Sequence, residues 1–372
     1  DTVAWYENDG EQRFTRRTIT TSADGAHDVY ADDLDGDGDM DVLSASYYTI
    51  EYYENDGNGE FTTRVISADV EGGACVRTGD LTGDGIREVV SVSWADEAVN
   101  WFTRPDNYVV IFSGGVDWDS NNVRYSHHVE ELYGVLLDDI GIPAENIWIL
   151  YADGTSDKMD RANRTNTDMS YATDQGTSVQ TATPDNLESV LMNVGLQANC
   201  YDNFLFFSYD HGSGIDPTES ENAPTQTREE ELCGWGEDVE DHDLANWLRQ
   251  VDAGHSSYVF SQCYAGGMIE TNLEPLNEDE FACASSNHYE SGYSGYEYGF
   301  SWGVIEALEA GYTSTHAIYE YAYDHTPNAT DGEGPDGKYQ DGVQHPWMTG
   351  DDFTMFATGG NQEPTIGAVD TL

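Results

Sequence analysis

Two short stretches hold the residues able to do chemistry. One is Ser208-Tyr209-Asp210-His211-Gly212-Ser213-Gly214, the other Tyr258-Val259-Phe260-Ser261-Gln262-Cys263-Tyr264-Ala265-Gly266-Gly267. Cys263 offers a sulfur nucleophile, and His211 offers proton transfer near neutral pH. The glycines beside them let backbone N–H groups approach a developing oxyanion. Alone, neither residue carries much weight, because most buried cysteines are inert core residues and many histidines are structural. Their context changes that. Each follows a short apolar run, Asn203-Phe204-Leu205-Phe206-Phe207 and Ser257-Tyr258-Val259-Phe260. Such runs read as buried strands of a mostly parallel sheet, and the carboxyl ends of those strands are where α/β folds build their sites. The expected chemistry is acyl transfer by a Cys-His pair, as in a cysteine peptidase.

The elements that must position this pair are legible around it. Tyr108-Val109-Val110-Ile111-Phe112 reads as a buried strand, and Asn146 to Tyr151 as a second. Between them, Val129 to Asp139 reads as a helix, with Val129, Leu132, Tyr133, Leu136 and Leu137 on one face and a stop near Gly141-Ile142-Pro143. Residues 152–183 are polar and read as a surface loop. Thr183-Pro184-Asp185-Asn186 starts a helix, with Thr at the N-cap and Pro in the first turn. An acidic loop is expected at 215–231, a helix from Leu244 to Val251, a strand at Glu280–Ala284 and a helix from Trp302 to Leu308. This alternation predicts an α/β/α sandwich with a mostly parallel sheet over residues 108–357. Residues 358–372 read as a linker or disordered tail.

The first 104 residues have a different period. Val3-Ala4-Trp5-Tyr6-Glu7-Asn8-Asp9-Gly10 recurs as Ile50-Glu51-Tyr52-Tyr53-Glu54-Asn55-Asp56-Gly57, and Asp33-Leu34-Asp35-Gly36-Asp37-Gly38-Asp39-Met40-Asp41 as Asp80-Leu81-Thr82-Gly83-Asp84-Gly85-Ile86-Arg87-Glu88, each 47 residues on. Short strand-like runs at that period suit an all-β array, here a partial β-propeller, with the remaining blades expected before Asp1. Asp33, Asp35, Asp37, Asp39 and Asp41 set hard oxygen ligands at alternate positions, which suits a structural Ca2+. In the second copy the ligands would be Asp80, Thr82, Asp84 and Glu88, with only a carbonyl from Ile86. An EF-hand would need a Glu at loop position twelve, where the chain has Ser44 and Ser91. These units resemble FG-GAP/VCBS calcium-loop repeats.

Asp210-His211-Gly212-Ser213 and Gln262-Cys263-Tyr264-Ala265-Gly266-Gly267 resemble the His and Cys boxes of the caspase–hemoglobinase superfamily. Further stretches resemble its legumain branch: Asn122-Val123-Arg124-Tyr125, then Gly141-Ile142-Pro143-Ala144-Glu145-Asn146-Ile147, Thr183-Pro184-Asp185-Asn186-Leu187, and Ser286-Asn287-His288-Tyr289-Glu290-Ser291. The resemblance spans residues 108–310 and implies a caspase-like fold and an endopeptidase acting on proteins or peptides through a thioester, with no cofactor in catalysis. It casts Cys263 as nucleophile, His211 as general acid/base, and the N–H groups of Gly212 and Cys263 as the oxyanion hole. Asn122 would orient His211. Arg124, Ser261 and Ser291 would line the pocket for the residue before the scissile bond. Ser261 stands where legumains carry Glu, and the pocket Asp of that family falls near Phe300 or Ser301. Arg124 therefore favours an acidic or small polar residue, whereas Glu290 or Glu297 would turn the pocket toward a basic one. The same dyad also serves transamidases and peptide ligases. A non-catalytic, calcium-dependent binding protein is the alternative of another class.

Composition bounds the setting. The chain has 71 acidic against 14 basic residues and a net charge of -57, with Lys158 and Lys338 its only lysines. High acidity often accompanies disorder, but 24 Tyr and 9 Trp allow this chain to bury a core. A carboxylate shell is tolerable where salt screens it, so a high-salt, extracellular or cell-surface setting is expected. Nucleic acid and anionic membranes are disfavoured as partners. No apolar run is long enough to span a membrane. The five cysteines leave at least one thiol unpaired within the chain.

Overall fold

The computed structural model describes residues 1–34, 38–68, 70–81, 87–95, 97–102, 106–200, 202–213, 230–269, 273, 276–277, 279–286, 296–326 and 346–356. Asp35, Asp37, Thr82, Asp84, Glu290, Ser291, the acidic stretch 215–229 and the tail 358–372 lie outside them. The chain divides into two units, meeting between Pro105 and Asp106.

The first unit is built from antiparallel sheets. β1 (Val3–Asn8) pairs with β2 (Phe14–Thr20). β3 (Asp28–Asp32), β4 (Asp41–Ala45), β5 (Ile50–Asn55) and β6 (Phe61–Ser67) form a four-stranded meander. β7 (Gly73–Gly79), β8 (Glu88–Ser93) and β9 (Ala98–Phe102) form a third sheet. The repeat of the sequence is a repeat of strands: β3 and β4 return as β7 and β8. Leu43, Ile50, Tyr52, Ile66, Val76, Val89 and Phe102 form one core from both copies. Across the copies, Asp28 accepts from Val76 N at 3.1 Å and pairs with Arg77. At the end of each Asp-rich loop sits a fully buried carboxylate, Asp41 and then Glu88. Asp41 accepts from Leu34 N at 3.0 Å and from Asn55 N at 2.9 Å, and Glu88 accepts from Leu81 N. These two acids tie each loop to its own strand. Asp33 accepts from Gly38 N at 3.2 Å, and Gly38 takes a φ of 94.

The second unit centres on a seven-stranded sheet. Its strands are β10 (Asn107–Ser113), β11 (Ile147–Tyr151), β12 (Ser178–Gln180), β13 (Asn203–Tyr209), β17 (His255–Ser261), β18 (Glu280–Ala284) and β19 (Trp347–Gly350). They run in the order β12-β11-β10-β13-β17-β18-β19, and every pair is parallel except β18 with β19. Helices cover both faces, as the unbroken apolar strands require. On one face, α1 (Val123–Gly134), α6 (Phe300–Glu309) and α7 (Thr315–Asp324) pack on Val109, Ile111, Leu205, Phe207, Tyr209 and Val259. On the other, α3 (Pro184–Gln197), α4 (Asp241–Leu248) and α5 (Ala265–Met268) cover Val110, Phe112, Phe204, Phe206 and Phe260. Three short strands, β14 (Gly212–Ser213), β15 (Glu231–Leu232) and β16 (Val239–Glu240), make a small antiparallel ribbon beyond the end of β13.

The expected helix at 129–139 starts earlier. Asn122 caps it by accepting from Arg124 N, and residues 135–139 widen into a π turn that closes with Ile140 N on Val135 O at 3.0 Å. α3 begins as its sequence predicts, with Thr183 Oγ1 accepting from Asn186 N and Pro184 in the first turn. The 152–183 stretch is more than a surface loop. It contains α2 (Ser170–Thr173) and β12, and it buries Asp160, Thr167, Met169 and Ala172. Neither α7 nor β19 was among the elements expected from the sequence. All five cysteines are free thiols.

Candidate active site

Two neighbouring strand ends create the site. β13 and β17 pair in parallel with Ser208 beside Phe260 and Tyr209 beside Ser261. His211 and Cys263 each follow their strand by two residues, and adjacent strands lie about 4.8 Å apart. The two backbones converge: a Cβ on Gly212 would collide with the Cys263 carbonyl oxygen and with Gln262. Only glycine fits there. Cys233 N donates to His211 O at 3.2 Å, so Gly212 and Leu232 are a non-hydrogen-bonded pair of the β14–β15 ladder. That ladder therefore does not use the Gly212 N–H.

The turn carrying Cys263 is braced from β18. Tyr264 takes a left-handed φ of 60 before α5 begins. Ser286 Oγ donates to Gln262 O at 3.2 Å and accepts from Ala265 N at 3.4 Å, straddling the turn. Ser285 Oγ donates to the same carbonyl at 3.3 Å. Cys263 is half-buried, whereas Cys233 and Cys283 are buried. Burial pushes the Cys233 thiol up to about 12 and raises Cys283 as well.

Asp210 holds the other side. Its carboxylate is buried and accepts from His211 N at 2.7 Å, from Ser113 Oγ at 2.8 Å and from Gly115 N at 2.6 Å. It thus fastens the end of β10 to the end of β13. Burial pushes its pKa up to about 6, while the nearby His211 and the three donors pull the other way.

The remaining expected residues fall as follows. Arg124 lies at the start of α1, with its guanidinium 4.8 Å from the Tyr125 ring centre and Nη2 donating to Tyr125 Oη at 2.9 Å. Its Nε is buried without a partner, and no described carboxylate pairs with it, in a chain rich in carboxylates. Ser261 is buried at the end of β17. Asn122 makes no bond to His211, because its amide is engaged as the N-cap of α1. The imidazole instead meets Tyr125 Oη at 3.1 Å and Ser120 O at 3.3 Å, both through Nε2. Ser301 is buried with its hydroxyl 3.1 Å from His128 Nδ1. Asp210, Tyr125 and Ser286 are the contributors the sequence did not single out. Asp210 adjoins the His-Gly pair, but its burial was not readable.

Residues 1–44 and 33–91 match the model of the FG-GAP-like repeat. The N-terminal segment is therefore similar to FG-GAP repeats. No curated protein matches the chain. The solved structures similar to it include protein GSU0716 from Geobacter sulfurreducens, at 13% identity and a TM-score of 0.43, covering 70% of this chain and 98% of that one. They also include caspase-1 from Spodoptera frugiperda, at 10% identity and a TM-score of 0.41, covering 70% of this chain and 93% of that one. Among the described residues no helix is long and apolar enough to cross a membrane.

Proposed function

We propose that the second unit is a caspase-like cysteine endopeptidase of the legumain type. The observation that supports this reading is the β13–β17 pairing, which brings together the strand ends that precede His211 and Cys263, with Gly212 so close to the Cys263 carbonyl that it admits no side chain. The Cys263 proton passes to His211, and the sulfur attacks the scissile carbonyl carbon. The Gly212 and Cys263 N–H groups receive the oxyanion. Collapse breaks the C–N bond, the leaving amine takes the proton from His211, and a thioester remains. Water, deprotonated by His211, then hydrolyses it. A peptide-library digest in molar salt tests the reading. Cleavage that depends on Cys263 supports it; an intact library, with the chain folded, sinks it.

Arg124 sets the proposed preference. A half-buried guanidinium with no carboxylate partner among the described residues is suited to an acidic side chain before the scissile bond. The library should show Asp or Glu there, and Arg124→Gln should lower kcat/KM for those peptides by about 100-fold or more while sparing neutral ones. Equal losses for acidic and neutral peptides would remove Arg124 from the pocket.

We also propose a structural Ca2+ in the N-terminal loops, held through Asp33, Asp35, Asp37, Asp39 and Asp41, and in the second copy through Asp80, Thr82, Asp84 and Glu88. The donor set is all oxygen, and the buried Asp41 and Glu88 already shape each loop. The expected setting is extracellular and saline, where screening relieves the charge of -57. Chelation in molar salt should lower the melting temperature of the first unit by several degrees, and Asp39→Asn should blunt that response. An unchanged melt after verified metal removal would count against the ion.

A further inference from the structure

We propose that Tyr125 is a positioning residue of His211, holding the imidazole through Nε2 beside the Ser120 carbonyl so that Nδ1 is left to take the Cys263 proton. This rests on the peptidase reading above. The Ser120 carbonyl can only accept, so its approach to Nε2 at 3.3 Å makes Nε2 the protonated nitrogen of the neutral ring. Tyr125 Oη, at 3.1 Å, is then the second and nearer acceptor for that N–H. With Nε2 occupied on both counts, Nδ1 is the nitrogen left for the sulfur.

The phenol is well placed for this task. Tyr125 is 2% exposed, and burial raises its pKa, so it stays a neutral hydrogen-bonding group. Its ring meets the His211 ring edge-on at 5.3 Å and the Tyr209 ring at 5.3 Å, and Tyr209 in turn stacks on His128 at 4.2 Å. Arg124 Nη2 donates to Oη at 2.9 Å and uses one of its two lone pairs. The side chain that holds the imidazole therefore comes from the first turn of α1, not from its cap. The same oxygen links the proposed substrate-binding guanidinium to the general base. Once His211 is an imidazolium, Oη continues to accept from Nε2–H, which stabilises the thiolate–imidazolium pair.

Two measurements on the full chain test the proposal. The first is 15N NMR of the histidine rings in molar salt, with His211 assigned from a His211→Gln sample. The expected neutral ring carries its proton on Nε2; a proton on Nδ1 overturns the proposal, and this readout needs no variant of Tyr125. The second is Tyr125→Phe, which keeps the ring and removes the oxygen. Its kcat should fall about 10- to 100-fold with KM within about twofold, and the acid limb of the kcat profile should move to higher pH as the ion pair weakens. A folded variant with kcat and pH limb unchanged, or with a change in KM alone, overturns the role. If the parent chain takes no active-site label at Cys263, the peptidase reading fails, while the His211 ring signals of Tyr125→Phe still decide whether Tyr125 holds the ring: unchanged shifts overturn the role.

Discussion

Cys263→Ala is expected to abolish both turnover and irreversible labelling by a peptidyl acyloxymethyl ketone, with the melting temperature little changed. The sulfur is half-buried at a strand end, so its removal leaves no large cavity. The loss of the covalent step should be complete within detection, at least about 10⁴-fold. Cys200 is exposed and is an adventitious target, so the comparison belongs in a Cys200→Ser background. Cys233 and Cys283 should stay silent because burial raises both thiols. Undiminished labelling of the alanine variant would end the peptidase reading.

The second large effect is at Asp210. Asp210→Ala would leave His211 N, Ser113 Oγ and Gly115 N without their shared acceptor in a buried place. Breaking such a buried network costs about 3–5 kcal/mol. The ends of β10 and β13 would lose their fastening, and the His211 loop would move with them, so activity should fall further than stability alone explains. A pH signature separates this from a generic core defect. The folded pKa of Asp210 is raised from 3.8 to about 6, so between those values the native chain holds a proton that the unfolded chain has released. The contribution of this group to stability therefore falls as pH rises through that window. Asp210→Asn removes the proton exchange, so its stability relative to the parent should rise from pH 4 to pH 6. A difference that stays flat across the window would show that Asp210 does not titrate there.

Much of this site was legible in the chain. The apolar runs before His211 and Cys263 read as buried parallel strands and Thr183-Pro184 as the start of a helix, and the structure has both. The misreadings share a cause. Asn122 was expected to orient His211, but the helix begins at Val123, so the Asn122 amide satisfies an unpaired N–H of the first turn. Tyr125 then faces the imidazole. Residues 152–183 looked like solvent-exposed loop because they are polar, yet Asp160 and Thr167 are buried, with Asp160 Oδ1 accepting from Thr167 N at 2.7 Å. Composition reports polarity, and only the fold decides whether a polar group finds its partner in water or in protein.

The sequence by itself determined the strand repeat of the first unit, the parallel core of the second and the two strand ends that carry sulfur and imidazole. Each of these follows from local periodicity and from residue types that permit one backbone conformation. Tertiary structure alone decided which groups meet His211: Tyr125 Oη and Ser120 O lie at Nε2, and Asp210 accepts from the backbone N–H. Those contacts depend on the register of β13 against β17 and on the start of α1. Register is a cooperative property of the packed sheet that no single stretch of chain encodes.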